Sequence, residues 1–237
     1  MQEISRIYDT IRKAKFSKYP FRHFYTDNFF DSIHLDFIKE ELNQLEKSFP
    51  DKIFSSPYGQ KREYKNFPIT YPVLNNLMKF LQSEDFINEL KTKFQIDPKI
   101  KIYGDNSFDG GGYVISPPNS FLGYHADFNF SSNMGKYRVL NLLIYMNSGY
   151  EPEHGGHLHA LDPISKTVEA SFLPNINSAF AFFTDDKSFH GVSKNGKDFY
   201  RRSFNLYYYA DVPISEDQTV NPHKTIWLDI DTEKHEE

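Results

Sequence analysis

Cysteine is absent from this sequence. Disulfides, thiolate zinc sites, iron–sulfur clusters and cysteine nucleophiles are therefore excluded, and any metal must be held by His, Asp or Glu. Also lacking is a basic stripe of the kind that neutralises a phosphate backbone. The formal net charge is -5 and the pI is near 6.0, so nucleic acid is not an expected partner. No apolar run is long enough to span a bilayer, and no membrane partner is expected. The first twenty residues contain no continuous apolar stretch, which argues against a secretory signal. A cytoplasmic protein is the expectation. Internal repeats and low-complexity tracts are missing too.

Aromatics are plentiful, at 17% of 237 residues, with 23 Phe and 16 Tyr. Such residues fit pleated, half-buried surfaces and lean the chain toward β structure. Residues 1–100 read as a mostly helical support region. Leu35, Ile38, Leu42 and Leu45 recur at helical steps behind a capping Asp31 or Ser32, with Pro50 as the stop. Further helices are expected over Val73–Leu81 and after Ser83, the latter with Phe86, Ile87 and Leu90 inward. From about 101 to 212 the texture changes to short aromatic and β-branched runs broken by Gly, Pro, Asn and Asp, which indicates a sandwich or barrel. Residues 213–237 read as a polar, peripheral C-terminal segment, in which Ile226, Trp227, Leu228 and Ile230 could dock onto the body. The whole is expected to be one domain, mainly β with flanking α-helices.

The strongest local signal is Tyr124-His125-Ala126-Asp127. In a strand, residues i and i+2 share a face roughly 6–7 Å apart, so an imidazole and a carboxylate can reach one ion. His190 is a third candidate. Two His and one carboxylate on one face of an octahedron form the facial triad of non-haem Fe(II) oxygenases, with open positions opposite. His190 is followed by Arg201 and Ser203, which share a strand face. A guanidinium fork beside a hydroxyl is well shaped for a carboxylate. Arg202 is the rival to Arg201, since alternation turns only one of them inward; Ser203 favours Arg201.

The segments FLGYHADFNF, RVLNLLIYMN, EPEHGGHLHALD, LPNINSAFAFF, SFHGVS and RRSFNLYYY, between about Gly112 and Tyr209, together resemble the 2-oxoglutarate/Fe(II) dioxygenase superfamily, in its prolyl 4-hydroxylase-like branch. The resemblance implies a double-stranded β-helix, or cupin-like jelly roll. It assigns His125, Asp127 and His190 to iron and catalysis. It assigns Arg201, Ser203 and Tyr145 to the distal carboxylate of 2-oxoglutarate, with Asn141 as a neighbour and Tyr113 reaching the proximal end. The implied cofactors are Fe(II), 2-oxoglutarate and O₂, with ascorbate as a stimulant. The implied reaction is hydroxylation of a C–H bond in a small-molecule or peptide substrate, releasing succinate and CO₂. Related halogenases lack the carboxylate, so Asp127 favours hydroxylation. The resemblance resides in the cosubstrate machinery and selects no substrate.

Two competing readings stand beside it. His157 and His159 form an HxH on one strand face, the pair a cupin-like metalloenzyme would use. The fold could also serve a non-catalytic jelly-roll binding protein. Gly155-Gly156 reads as a backbone requirement at the start of a strand. Leu142, Ile144 and Met146 read as core, and Phe128 and Phe130 as packing away from the metal face.

Overall fold

A computed structural model describes residues 2–48 and 54–228. Among the described residues, the first hundred hold four helices and four strands: α1 (Gln2–Lys13), β1 (Lys15–Ser17), β2 (His23–Thr26), α2 (Ser32–Lys47), β3 (Phe54–Ser56), β4 (Gly59–Tyr64), α3 (Pro72–Leu81) and α4 (Glu84–Lys93). Asp31 caps α2 by accepting the His34 N–H at 2.8 Å, and Ser83 does the same for α4, each satisfying a donor that the first helical turn leaves unpaired. The helix ends at Lys47; Pro50 and Ile230 lie outside the described residues. No helix among those described is long and apolar enough to cross a membrane.

The remaining strands are β5 (Ile102–Gly104), β6 (Gly112–Ser116), β7 (Leu122–Ala126), β8 (Phe130–Ser131), β9 (Lys136–Tyr145), β10 (Leu158–Leu161), β11 (Val168–Phe172), β12 (Ala179–Phe183), β13 (His190–Val192), β14 (Arg201–Ala210) and β15 (Ile226–Trp227). All pairings are antiparallel. They run in the order β1-β2-β12-β9-β14-β6-β4-β7-β13-β10-β11. β4 pairs with both β6 and β7, so it joins the two faces of a curled sheet, a double-stranded β-helix. The expected helical support region therefore also closes the barrel. β4, GQKREY, carries no apolar alternation, which is why period-two hydrophobicity does not reveal it.

Burial on the two sides of this sheet explains the sequence pattern. β12 reads AFAFF because it is covered on both faces. Ala179 and Ala181 lie beneath the helices with Leu142 and Ile144 of β9, while Phe180 and Phe182 point into the barrel with Leu143 and Tyr145. The helices contribute Ile38, Leu42, Leu74, Phe86 and Leu90 to the outer core.

The turn after β12 yields a test of stability. Asp185 is largely buried, and burial, reinforced by Asp217, pushes its carboxyl from 3.8 up to about 6 against the pull of the Lys187 N–H. The folded chain thus holds this proton more tightly than the unfolded chain. Asp185 therefore costs stability progressively as pH rises from 3.8 to about 6, and in full above that. Asp185→Asn keeps an acceptor for the Lys187 N–H and removes the charge. Thermal melting should show the variant more stable by about 1–2 kcal/mol near pH 8 and equal to wild type near pH 4. A difference that does not grow with pH would refute the assignment.

Candidate active site

β7 and β13 lie side by side with His190 opposite His125. Alternation along β7 turns His125 and Asp127 into the barrel, while Tyr124 and Ala126 pack outward with Leu161 and Phe189. Each histidine directs Nδ1 at a carbonyl two residues back, His125 at Gly123 (2.8 Å) and His190 at Ser188 (2.9 Å). A carbonyl can only accept, so each Nδ1 carries the proton and each Nε2 keeps its lone pair. His125 Nε2 lies 3.4 Å from Asp127 Oδ1, and His190 Nε2 lies 3.9 Å from Asp127 Oδ2. The three ligand atoms fall within 4.8 Å of one another, and all three residues are buried. Burial, then the charge balance with His125, pushes the His190 imidazole down to about 4, which keeps it neutral and able to ligate.

Asp127 is held from behind. Arg138 Nη1 approaches Oδ2 at 3.2 Å, and Asn141 Nδ2 donates to the same oxygen at 3.3 Å. Burial alone would raise this carboxyl, but Arg138 and the two histidines outweigh it and hold the pKa well below the usual range. The Arg138 guanidinium is clasped between Phe128 and Tyr207, 3.6 and 3.8 Å from their ring centroids. Sequence reasoning missed Arg138 for a physical reason. Tyr208 pairs with Leu140 but Tyr209 pairs with Arg138, so Val139 is an extra residue, a bulge. The bulge flips the alternation and turns Arg138 to the same side as Asn141. Phe128, expected to pack away from the metal face, lines the cavity instead, where Arg138 needs an aromatic face.

Beyond the triad the cavity, about 390 Å³, reaches β14, where Arg201, Asn205 and Tyr207 face inward. Arg201 Nε donates to the Gly156 carbonyl at 2.9 Å, which fixes the plane of the guanidinium. That carbonyl is presented by a glycine-specific turn. Gly155 has φ 64, and a Cβ there would lie 2.3 Å from the Lys194 carbonyl. Arg201 Nη2 and the Tyr145 hydroxyl are both buried without a well-formed hydrogen bond. Burial raises the Tyr145 phenol against the pull of Arg201, so it stays protonated and able to donate. Ser203 shares this face opposite Tyr145, and its Oγ donates to Asn205 Oδ1 at 2.7 Å. Two steps further along the same alternation would have found Asn205.

Other expected residues lie elsewhere. Arg202 points outward and grips Glu46 of α2 through Nε and Nη2 at 2.9 and 3.1 Å. Tyr113, expected at the proximal end of the cosubstrate, is on the outer face of β6. Its hydroxyl donates to Glu46 at 2.6 Å and its ring packs on Phe204, because Val114 and Ser116 take the inward positions. His157 Nε2 contacts the Pro152 carbonyl and His159 Nδ1 the Tyr124 hydroxyl. Among the described residues these two histidines join no group of three ligands, which removes the basis of the cupin-like reading.

Residues 213–228 of the C-terminal segment are not peripheral. Asn129 Nδ2 donates to the carbonyls of Thr219 and Asn221, both at 3.0 Å, and its Oδ1 accepts the His223 N–H at 2.8 Å. Gln218 Nε2 donates to the Arg138 carbonyl at 2.7 Å. So fastened, the chain pairs β15 with β7, Trp227 opposite His125, and Thr225 and Trp227 line the cavity. Asn129→Ala should cost about 1–2 kcal/mol, because three part-buried backbone groups lose their partner. It should also raise hydrogen exchange across residues 219–228. Undiminished protection there would show the strap to be held by other contacts.

Residues 111–209 match the sequence profile of the 2OG-Fe(II) oxygenase superfamily. The chain carries a 2OG-Fe(II) oxygenase domain. No curated protein matches the sequence. The fold is similar to a Pseudomonas putida prolyl-4-hydroxylase, at 13% identity and TM-score 0.56, covering 87% of this chain and 97% of that one. A Trichoplax adhaerens prolyl hydroxylase gives 15% and 0.57, covering 86% and 88%. HygX from Streptomyces hygroscopicus, with nickel and 2-oxoglutarate bound, gives 10% and 0.52, covering 85% and 92%. That domain is of the Fe(II)/2-oxoglutarate-dependent dioxygenase class, which uses O₂ as its oxidant. Its residues suit both groups: two imidazoles and a carboxylate converge as an Fe(II) donor set, and the buried Arg201 Nη2 and Tyr145 hydroxyl, neither with a well-formed hydrogen bond, suit a carboxylate.

Proposed function

We propose that this oxygenase hydroxylates an unactivated C–H bond of a small molecule or a peptide side chain, converting 2-oxoglutarate and O₂ to succinate and CO₂ as one oxygen atom enters the substrate. The observation that carries this reading is the intact carboxylate at Asp127, which converges with His125 and His190 and lines the same cavity as Arg201, the neighbour of Tyr145. A carboxylate there leaves no ligand position vacant for halide, which favours oxygen insertion. The Trichoplax adhaerens enzyme, solved with a hypoxia inducible factor oxygen degradation domain peptide fragment, supports keeping peptide side chains among the substrates.

When bound, iron and 2-oxoglutarate supply the oxidising power; the chain supplies placement. His125 and His190, oriented by carbonyls and kept neutral, would hold the metal with Asp127. Arg138 and Asn141 fix the orientation of that carboxylate through Oδ2. Arg201 and Tyr145 would hold the far carboxylate of 2-oxoglutarate, with Ser203 and Asn205 beside them. The aromatic walls exclude water, which strengthens each of these charge interactions. In a succinate-release screen over amino acids, peptides and sugar metabolites, a substrate should raise Fe(II)- and O₂-dependent succinate formation. Mass spectrometry should find its product one oxygen atom heavier. A halogenated product, or turnover indifferent to 2-oxoglutarate, would overturn the proposal.

A further inference from the structure

The face of the cavity beside His125 comes from two elements outside residues 111–209. One edge of β7 pairs with β13. The other edge is covered in two halves. The β3–β4 hairpin reaches its first half, where the Gly123 N–H donates to the Tyr58 carbonyl at 2.8 Å. β15 covers its second half, where the Leu228 N–H donates to the Tyr124 carbonyl at 2.8 Å. At the seam the rings of Tyr58 and Trp227 stack with centroids 4.1 Å apart and planes 8° from parallel. They lie over Gly123, at ordinary contact distance: a Cβ there would stand 3.4 Å from Tyr58 Cδ1 and 3.5 Å from Trp227 Cζ3. The indole is also 4.8 Å, centroid to centroid, from the His125 imidazole. This aromatic surface therefore adjoins the metal ligands.

The charged side chains lining the same cavity are committed elsewhere. Lys61 is paired with Glu63 and donates to the Gly110 carbonyl at 3.1 Å. Arg138 and Asp127 pair with each other, and Arg201 suits the cosubstrate. The apolar walls between are Phe54, Phe121, Leu122, Phe128 and Val192, and the polar side chains among them, such as Ser56, Gln60 and Thr225, are uncharged. A charged group entering beside Trp227 would lose its hydration and find no counter-charge in exchange. A flat or puckered apolar ring would lose nothing and would gain packing area against the indole.

We propose that Tyr58 and Trp227 form the specificity-determining surface of the site, and that the substrate is engaged there through an uncharged ring, aromatic or alicyclic. This rests on the oxygenase reading above. It also places substrate choice in the hairpin and the strap, outside residues 111–209.

The test uses probes matched in size and different in charge: benzamide and cyclohexanecarboxamide against benzoate and benzylammonium. Binding is measured by ligand-observed NMR on protein loaded with Zn(II) and 2-oxoglutarate, so that Arg201 is occupied. The neutral probes should bind at least about 10-fold tighter than either ion. Tyr58→Ala and Trp227→Ala should each weaken them about 5-fold, and Trp227→Phe should restore most of the loss. Trp227 is the one tryptophan of the chain, so benzamide should also perturb its emission. Equal binding of an ion, unchanged affinity in folded Trp227→Ala, or an emission blind to benzamide would each overturn the proposal. Failure of wild type to retain 2-oxoglutarate would count against the oxygenase reading instead. The neutral-probe comparison of wild type with Tyr58→Ala, repeated on metal-free protein, judges the aromatic surface separately.

Discussion

Asp127→Ala is expected to abolish Fe(II)-dependent turnover of 2-oxoglutarate, lowering succinate release by roughly 10³-fold or more, since even changes behind a metal ligand cost about 10–100-fold. Two neutral imidazoles would remain, and neither offsets the charge of a divalent ion. The variant should also lose stability, because Arg138 is buried and its counter-charge is Asp127. Removing one partner of a buried pair costs about 3–5 kcal/mol. Asp127→Asn separates the two effects. Its amide oxygen can still accept from Arg138, so melting should fall by less than in the alanine variant. As a neutral and weaker ligand, it should still lose most turnover. Metal titration, melting and succinate release measured on both variants give the check. Normal succinate release by Asp127→Ala would sink the triad.

How much of this was legible in the sequence differs from residue to residue, for physical reasons. His125 and Asp127 share a face because strand alternation is strict over two residues, so their convergence could be read directly. Arg201 against Arg202 was legible for the same reason, with Ser203 as the marker. Alternation fails where the strand is not regular. The bulge at Val139 turned Arg138 inward, and nothing in the string YRVLNLL announces it. Tyr113 was misplaced by one face, since the apolar GYVIS of β6 is buried on both sides and carries no periodicity. β4 and the strap were the least legible. β4 is placed by pairing with two strands far along the chain, and the strap by polar side chains, Asn129 and Gln218 among them, bonding to distant backbone groups. Such bonds leave no local pattern. Yet these segments supply Tyr58 and Trp227, so the wall nearest the metal is where the sequence says least.

Arg201→Ala is expected to raise the 2-oxoglutarate concentration needed for half-maximal turnover by about 100-fold, the scale of losing a buried, charge-assisted pair of hydrogen bonds. Arg202→Ala should shift it less than about 2-fold and instead cost about 1 kcal/mol of stability, since it breaks a half-exposed ion pair to Glu46. The two neighbours thus divide cleanly between two assays, 2-oxoglutarate titration and thermal melting. Arg201→Lys is the sharper variant. It keeps the charge but loses both the Nε–H donor to the Gly156 carbonyl and the planar fork. If the site recognises only charge, lysine should restore most of the affinity. If it recognises the plane that Gly156 sets, lysine should recover only a minor part of the loss. The geometry favours the second outcome, because Gly155 holds a backbone conformation suited only to glycine in order to aim that carbonyl. A larger 2-oxoglutarate effect from Arg202→Ala than from Arg201→Ala would mean that the inward face of β14 has been assigned to the wrong set of residues.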